Sequence, residues 1–379
     1  MGIIEGLRAS DVARSAGDFT GALRVIDTTL ATAGDDTALR LARVHLLREC
    51  GQLQESLAEV DDLLKKRPFL AEAHLARGFL RLLSGDWSQG WAQREWRWHR
   101  PEYRRIMPPS LPVWDGSSSP KLRLRVIHEQ GLGDALQFSR FFPEVRQRVG
   151  SLEVETPPAL MGLMTHAFPE IDSLVVPGAP STADAWIGLM SLPERLQVTP
   201  ATIPHASGYL RLPTPAPPES PMQLLESLPD RQRRLQIGLA PSGNPNHAND
   251  RFRTPPTEVF SALCHSVDAD WWWVQPAVPD RLLNTLPVQA PPWPLNDFTD
   301  TAQWMAVLDL VISVDTSAAH LAGALGRPTW ILLSFAPDWR WGAAGTTTPW
   351  YDAARLYRQA RPLDWDSALQ SLITDLQSL

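Results

Sequence analysis

For a chain of 379 residues there is little cysteine: Cys50 and Cys264 stand far apart, with no CxxC and no Cys/His spacing near either. Neither a disulfide framework nor a structural zinc site organises such a sequence, and a reducing, cytoplasmic compartment is expected. Long apolar runs are missing as well. No stretch approaches the roughly 18 apolar residues of a membrane span, and no basic segment followed by an apolar core opens the chain, so neither a span nor a signal peptide is expected. Positive charge is in deficit. A formal net charge of −7 argues against a nucleic-acid partner. Tryptophan and proline, by contrast, are plentiful at 16 and 35 residues. Indoles offer large surfaces for packing or for stacking on sugars and bases, and most are expected in cores. The remaining composition, 44% hydrophobic and 20% charged, describes an ordinary globular chain with room for two or three domains.

The stretch around which the rest is organised is Leu310 to Trp330, LVISVDTSAAHLAGALGRPTW. Leu310 to Val314 is apolar and β-branched, as in a strand buried on both faces of a parallel sheet. Asp315, Thr316 and Ser317 are helix-capping types, Ala318 to Leu325 suit a helix packed closely on its sheet, and Gly326 with Pro328 ends it. Thr329 to Leu333 reads as the next strand. Ligands of open α/β sheets sit where such a turn leaves a strand, and free N–H groups at a helix start favour phosphate. The competing reading is that Asp315 and Thr316 only cap the helix and that His320 is a packed core histidine.

The first hundred residues are helical and periodic. Gly17, Gly51 and Gly85 lie 34 residues apart, with Asp18, Gln52 and Asp86 behind them. Ala22, Ser56 and Gly90 keep one small position, and Val12, Leu46 and Leu80 one apolar position. This pattern, with Pro68 after the second pair, resembles the tetratricopeptide repeat over about residues 3 to 100, which implies a concave face able to take a peptide or protein. The aromatic and basic segment Trp91 to Arg105 has Trp91, Glu95 and Trp98 at helical spacing, as in a seam against the next domain. Pro108 to Pro120 reads as a linker.

Two α/β units follow. Leu122 to Ile127 is a strand leading into HEQGLGD, where Gly131 and Gly133 permit a tight turn and Asp134 stands at a helix entry, with Gln130 beside them. Further strands are expected at Glu153 to Glu155, Ser173 to Val176 and Ala185 to Met190, and the proline-rich Pro213 to Pro221 as a hinge. Leu235 to Leu239 opens the second unit and runs into a polar loop holding Asn244, Arg251 and Arg253, two arginines able to form a bidentate phosphate clamp. Gln275 follows the strand Trp271 to Val274, where base or ribose contacts would fall. Asp338, Trp339, Arg340 and Trp341 cluster after the strand at Thr329 to Leu333, and a C-terminal helix is expected to fold back over the first unit.

GLGD after a first strand, a basic loop opening the second unit, and VDTSAAHLAGALGRP near the end resemble the lipopolysaccharide heptosyltransferases, glycosyltransferase family 9, over about residues 121 to 379. Repeats fused to such a pair are similar to bacterial tetratricopeptide glycosyltransferases, including enzymes that modify flagellins, and distantly to O-GlcNAc transferases. The implied architecture is α-helical repeats at 1–107, a linker at 108–120, and a GT-B fold: a Rossmann-like acceptor-side lobe at 121–214, an interlobe linker at 215–233 and a nucleotide-sugar lobe at 234–379. The implied chemistry is an inverting, metal-independent sugar transfer from a nucleotide-sugar donor to a protein or glycan acceptor recruited by the repeats. Asp134 maps on the general base. Gly133, Asn244, Arg251, Arg253, Gln275, Asp315, Thr316, Ser317 and His320 map on the donor side, and Gln130, Asp338, Trp339 and Arg340 on the acceptor side or cleft. Two departures stand out: Ser317 replaces a more usual glycine, and the family's phosphate-binding lysine has no clear counterpart. No metal or other cofactor is implied. The DxD pairs Asp268/Asp270 and Asp364/Asp366 are poorly placed for a cleft. The alternatives are a noncatalytic repeat scaffold with a degenerate transferase region, and a nucleotide-sugar epimerase or dehydrogenase, against which the missing third glycine and Tyr-xxx-Lys pair count.

Overall fold

The computed structural model describes residues 2–212, 234–243, 250–275, 280–291 and 293–379. Its first part is three antiparallel helix pairs: α1 (Ile3–Ser15) with α2 (Phe19–Ala33), α3 (Thr37–Glu49) with α4 (Leu53–Lys66), and α5 (Ala71–Leu83) with α6 (Trp87–Arg94). The 34-residue period has a backbone cause. Gly17, Gly51 and Gly85 take φ of +82°, +79° and +88°, a conformation that costs a side-chain-bearing residue about 1 kcal/mol or more. Asp18 and Asp86 then cap α2 and α6. At the small position Ala22 and Ser56 are buried where two helices cross, and Ser56 Oγ donates to the Val44 carbonyl at 2.7 Å. Leu46 and Leu80 are buried, whereas the equivalent Val12 on α1 is 71% exposed.

The first lobe is a parallel sheet of order β3-β2-β1-β4, from β1 (Ser119–Ile127), β2 (Val149–Glu155), β3 (Ser173–Val175) and β4 (Ala185–Gly188). The second is also parallel, of order β6-β5-β7-β8-β9: β5 (Leu235–Ala240), β6 (Ala269–Trp273), β7 (Leu310–Val314), β8 (Thr329–Leu333) and β9 (Ala354–Arg358). The first lobe carries α7 (Leu132–Phe138) directly after β1, and the second carries α8 (Ser317–Ala324) between β7 and β8. The strand, turn, helix and strand read around Asp315 are therefore present. The terminal helix α9 (Trp365–Leu376) corrects an expectation: its Trp365, Leu369 and Leu372 join the core beneath β7 and β8, so it covers the second lobe and not the first.

Residues 108–120 do not hang free. The Trp186 N–H donates to the Pro112 carbonyl at 3.0 Å and the Trp114 N–H to the Trp186 carbonyl at 2.8 Å, extending the first sheet past β4, and Trp114 is buried. The repeats are fused to the lobes just as closely. Trp87 stacks on Trp350 at 5.0 Å, Trp91 meets Trp339 edge to face at 5.2 Å, and the Trp91 indole donates to the Val198 carbonyl at 3.0 Å. One apolar core runs from Leu82 through both lobes. The aromatic seam read from the spacing is thus the joint of the molecule. Beside it Arg97 is buried in an ion pair with Glu129 (2.6 Å) and a second with Glu95 (2.6 Å). Burial opposes the Arg97 charge, but Glu129 and Glu95 outweigh it and hold the group above its ordinary pKa. No helix among the described residues is long and apolar enough to cross a membrane. The proline-rich hinge, the 215–233 linker and Asn244 lie outside the described residues.

Candidate active site

A cavity of about 1060 Å³ opens where the carboxyl ends of β1 and β7 face the concave side of the repeats. The first lobe contributes Gln130 to Asp134, the second Arg253, Asp315 to Ser317, His320 and Ser334 to Arg340, and the repeats Arg14, His45, Arg48, Phe79 and Arg94 among others. This is the position at which parallel α/β sheets hold ligands, with a third wall added by the helices.

Asp134 joins the two lobes. It stands in the first turn of α7, where its Oδ2 accepts the Gly131 N–H at 2.8 Å, and its Oδ1 is ion-paired with Arg340 Nη2. Arg340 is a hub: Nη1 reaches Asp338 Oδ1 at 2.8 Å, Nε donates to Gln137 Oε1 at 2.6 Å, and the guanidinium lies over the Trp339 ring at 4.3 Å. Burial works against this charge, yet Asp338 and Asp134 together raise its pKa above the ordinary range. Asp315, at the end of β7, has no comparable ion pair. Removal from water and then the facing Asp338 push its carboxyl up to about 6, against smaller opposing pulls from the Trp341 indole and then from Arg253 and Arg340.

The start of α8 points into the same space. Thr316 is its N-cap, in extended conformation and with no side-chain cap bond, and its carbonyl accepts the N–H groups of Ala319 and His320. The N–H groups of Ser317 and Ala318 are left without intrahelical partners, an arrangement suited to phosphate. Arg253 lines the cavity and is tied to Asp250 at 3.0 Å.

Several predicted residues sit otherwise. Arg251 is exposed, lies over the Phe252 ring at 4.6 Å and does not line the cavity, so only Arg253 of the expected clamp reaches it. Gln275 donates to the Ser242 carbonyl at 2.7 Å and also stays outside the cavity lining. Gly133 lines the cavity, and a Cβ there would lie 2.9 Å from His320 Cδ2, so the glycine also lets α7 and α8 touch across the lobes. His320 is 5% exposed, bonded to Tyr351 Oη at 2.9 Å and stacked on Trp341 at 5.3 Å. Burial, with Arg340 and Arg140 nearby, pushes its pKa well below the ordinary value, which makes it a neutral packing residue at the cavity floor. Trp339 is 2% exposed and belongs chiefly to the seam. Gln130 lines the cavity and donates to Tyr103 Oη at 3.3 Å.

Sequence reasoning missed Gln137, although its place three residues after Asp134 puts both on one face of α7. It also missed Arg48 and Arg94, which only the curvature of the repeats brings to the cleft. Both DxD pairs are spent elsewhere. Asp268 and Asp270 face Arg234 at 3.2 and 3.8 Å, and Asp364 caps α9. Among the described residues no group of three or more His, Cys, Asp or Glu side chains is placed to hold a metal ion.

The fold defines the class: a helical repeat array joined to a glycosyltransferase-like pair of α/β lobes. Among solved structures, the glycosyl transferase family 9 protein of Veillonella parvula matches 69% of this chain and 98% of its own at 14% identity, with a TM-score of 0.50. The ADP-heptose lipopolysaccharide heptosyltransferase II of E. coli matches 68% of this chain and all of its own at 12% identity and a TM-score of 0.41. An O-GlcNAc transferase of Thermobaculum terrenum spans 99% of this chain and 91% of its own at 14% identity, with a TM-score of 0.32. Among curated proteins, Protein FlbA of Caulobacter vibrioides is 24% identical over 95% of this chain, which spans 65% of that relative's length. No family model matches the chain.

Proposed function

We propose that the chain is an inverting, metal-independent glycosyltransferase that moves a sugar from a nucleotide-sugar donor to a protein acceptor brought to the cleft by the repeats. The observation that carries this reading is the opposition, across one cavity, of the Asp134 carboxylate on the first lobe to the start of α8 and Arg253 on the second. In this reading the donor phosphates meet the N–H groups of Ser317 and Ala318 and the Arg253 guanidinium, which stabilise the leaving nucleotide as its charge develops. Positive charge from these groups stands where other transferases use a divalent ion. Asp134 takes the proton of the acceptor hydroxyl while that oxygen attacks the anomeric carbon from the face opposite the leaving group, which inverts the configuration. Arg340, ion-paired with Asp134, holds its carboxylate in place.

A second reading, the noncatalytic scaffold, draws support from one observation: both oxygens of Asp134 are already engaged, by Arg340 and by the Gly131 N–H. The two readings separate on donor turnover. Purified protein incubated with a panel of nucleotide sugars releases free nucleotide if it is a transferase, and releases none above the no-protein control with any of them if it is a scaffold.

A further inference from the structure

Arg94 ends α6 and Arg48 lies in the last turn of α3, and both line the cavity from the side of the repeats. The Arg94 carbonyl accepts Arg97 Nη1 at 3.1 Å, but among the described residues the Arg94 guanidinium makes no hydrogen bond or ion pair. The Arg48 side chain is 13% exposed, lies over Phe79 at 4.8 Å, and among the described residues has one ion pair, with its neighbour Glu49 at 3.2 Å. That carboxylate is already taken by Arg14 through bonds of 2.7 and 2.6 Å.

The surroundings do not neutralise these two charges. Of the cations around Arg94, Arg97 is spent on Glu129 and Glu95, and Arg340 on Asp134 and Asp338. The acid facing both Arg48 and Arg94 is Asp338, which Arg340 already holds at 2.8 Å. The remaining neighbour of Arg94 is Tyr103, whose hydroxyl accepts from Gln130 at 3.3 Å. Burial first, and then Arg97 and Arg340, disfavour the charged form of Arg94 and lower its pKa, but a guanidinium stays protonated in water-accessible sites. A charged group partly desolvated beside like charges is stabilised by an anion brought from outside.

We propose that this wall is an anion subsite, in which Arg48 and Arg94 hold a carboxylate or phosphate group carried by the substrate. It rests on the transferase reading only for what counts as substrate. The anion has two sources, an acidic side chain beside the acceptor hydroxyl or an acidic group on the donor sugar, and the chemistry of the wall is the same for both. The placement favours neither the nucleotide nor its phosphates, since α8 and Arg253 meet those from the opposite lobe.

The test uses the full chain, with Arg94→Gln and Arg48→Gln to remove charge and Arg94→Lys to keep it. Binding of a blocked, labelled pentapeptide with serine flanked by two glutamates on each side is compared with its glutamine counterpart, and UDP-glucuronate with UDP-glucose. In at least one pair the acidic probe binds about tenfold tighter to the wild type, Arg94→Gln and Arg48→Gln each remove most of that preference, and Arg94→Lys retains part of it. Whichever pair shows the preference identifies the source of the anion. Equal binding within both pairs, or a preference that survives in Arg94→Gln, overturns the proposal. ADP and UDP are titrated into the wild type alongside. If neither binds while the peptide preference stands and falls with Arg94, the transferase reading fails and the anion subsite remains.

Discussion

Replacing Asp315 by asparagine should stabilise the protein, and by an amount that depends on pH. The carboxyl has a folded pKa of about 6 against an ordinary 3.8, chiefly from burial and from Asp338. Because the folded value is raised, the folded state favours the neutral acid. The favourable contribution is complete below pH 3.8 and is lost as pH rises through 6. A displacement of about two pH units corresponds to about 3 kcal/mol of lost stability above pH 7, and to about half of that at pH 5. Asparagine keeps the shape and carries no charge to desolvate. Urea denaturation of both proteins should therefore show the Asp315→Asn chain ahead by about 2 to 3 kcal/mol at pH 8, with the advantage shrinking by about 1.4 kcal/mol at pH 5. An advantage that is absent at pH 8, or equal at the two pH values, would refute the reasoning. The same titration touches ligand binding. An ionised Asp315 next to the start of α8 repels an anion there, so nucleotide affinity should rise as pH falls through 6 in the wild type and stay flat in the variant.

Other perturbations follow from the same contacts. Arg340→Met strips the partly buried Asp134 and Asp338 of their shared, buried counter-ion, and should cost about 3 kcal/mol in urea denaturation. Gly133→Ala forces a methyl group to within 2.9 Å of the His320 ring, so α7 and α8 must part, with a loss of about 1 to 3 kcal/mol and a drop in melting temperature. Deleting residues 1–107 removes Trp87 and Trp91 from the rings of Trp339 and Trp350, and the remaining lobes should aggregate or melt well below the full chain. A truncated chain as stable as the whole would show the repeats to be an independent appendage.

Much of this architecture was legible because local physics dictated it. The repeat period could be read since only glycine adopts the left-handed turn at 17, 51 and 85 without strain, and the β7–α8–β8 unit since an apolar run, capping residues and Gly326 at φ +69° fix its limits. β9 was not legible. Ala354–Arg358 places arginines at 355 and 358 on a short edge strand, and that spacing reads as readily as one turn of a polar helix. The position of the site could be read from the strand ends, but its wiring could not. Asp134 and Arg340 are 206 residues apart, and only the meeting of the two lobes makes them partners. His320 shows the same limit: the sequence left open whether it faces a ligand or the core, and the arrival of Trp341 and Tyr351 from a later loop places it against the core.

The central claim is that Asp134 is the base of a sugar transfer. The most direct measurement is nucleotide release from the preferred donor by the wild type and by Asp134→Asn, each with its donor affinity determined by calorimetry. The account predicts turnover by the wild type, donor affinity within about twofold in the variant, and a rate lower by about 10² to 10⁴ fold, the range for a positioned base. A folded Asp134→Asn protein that turns over at the wild-type rate would contradict it.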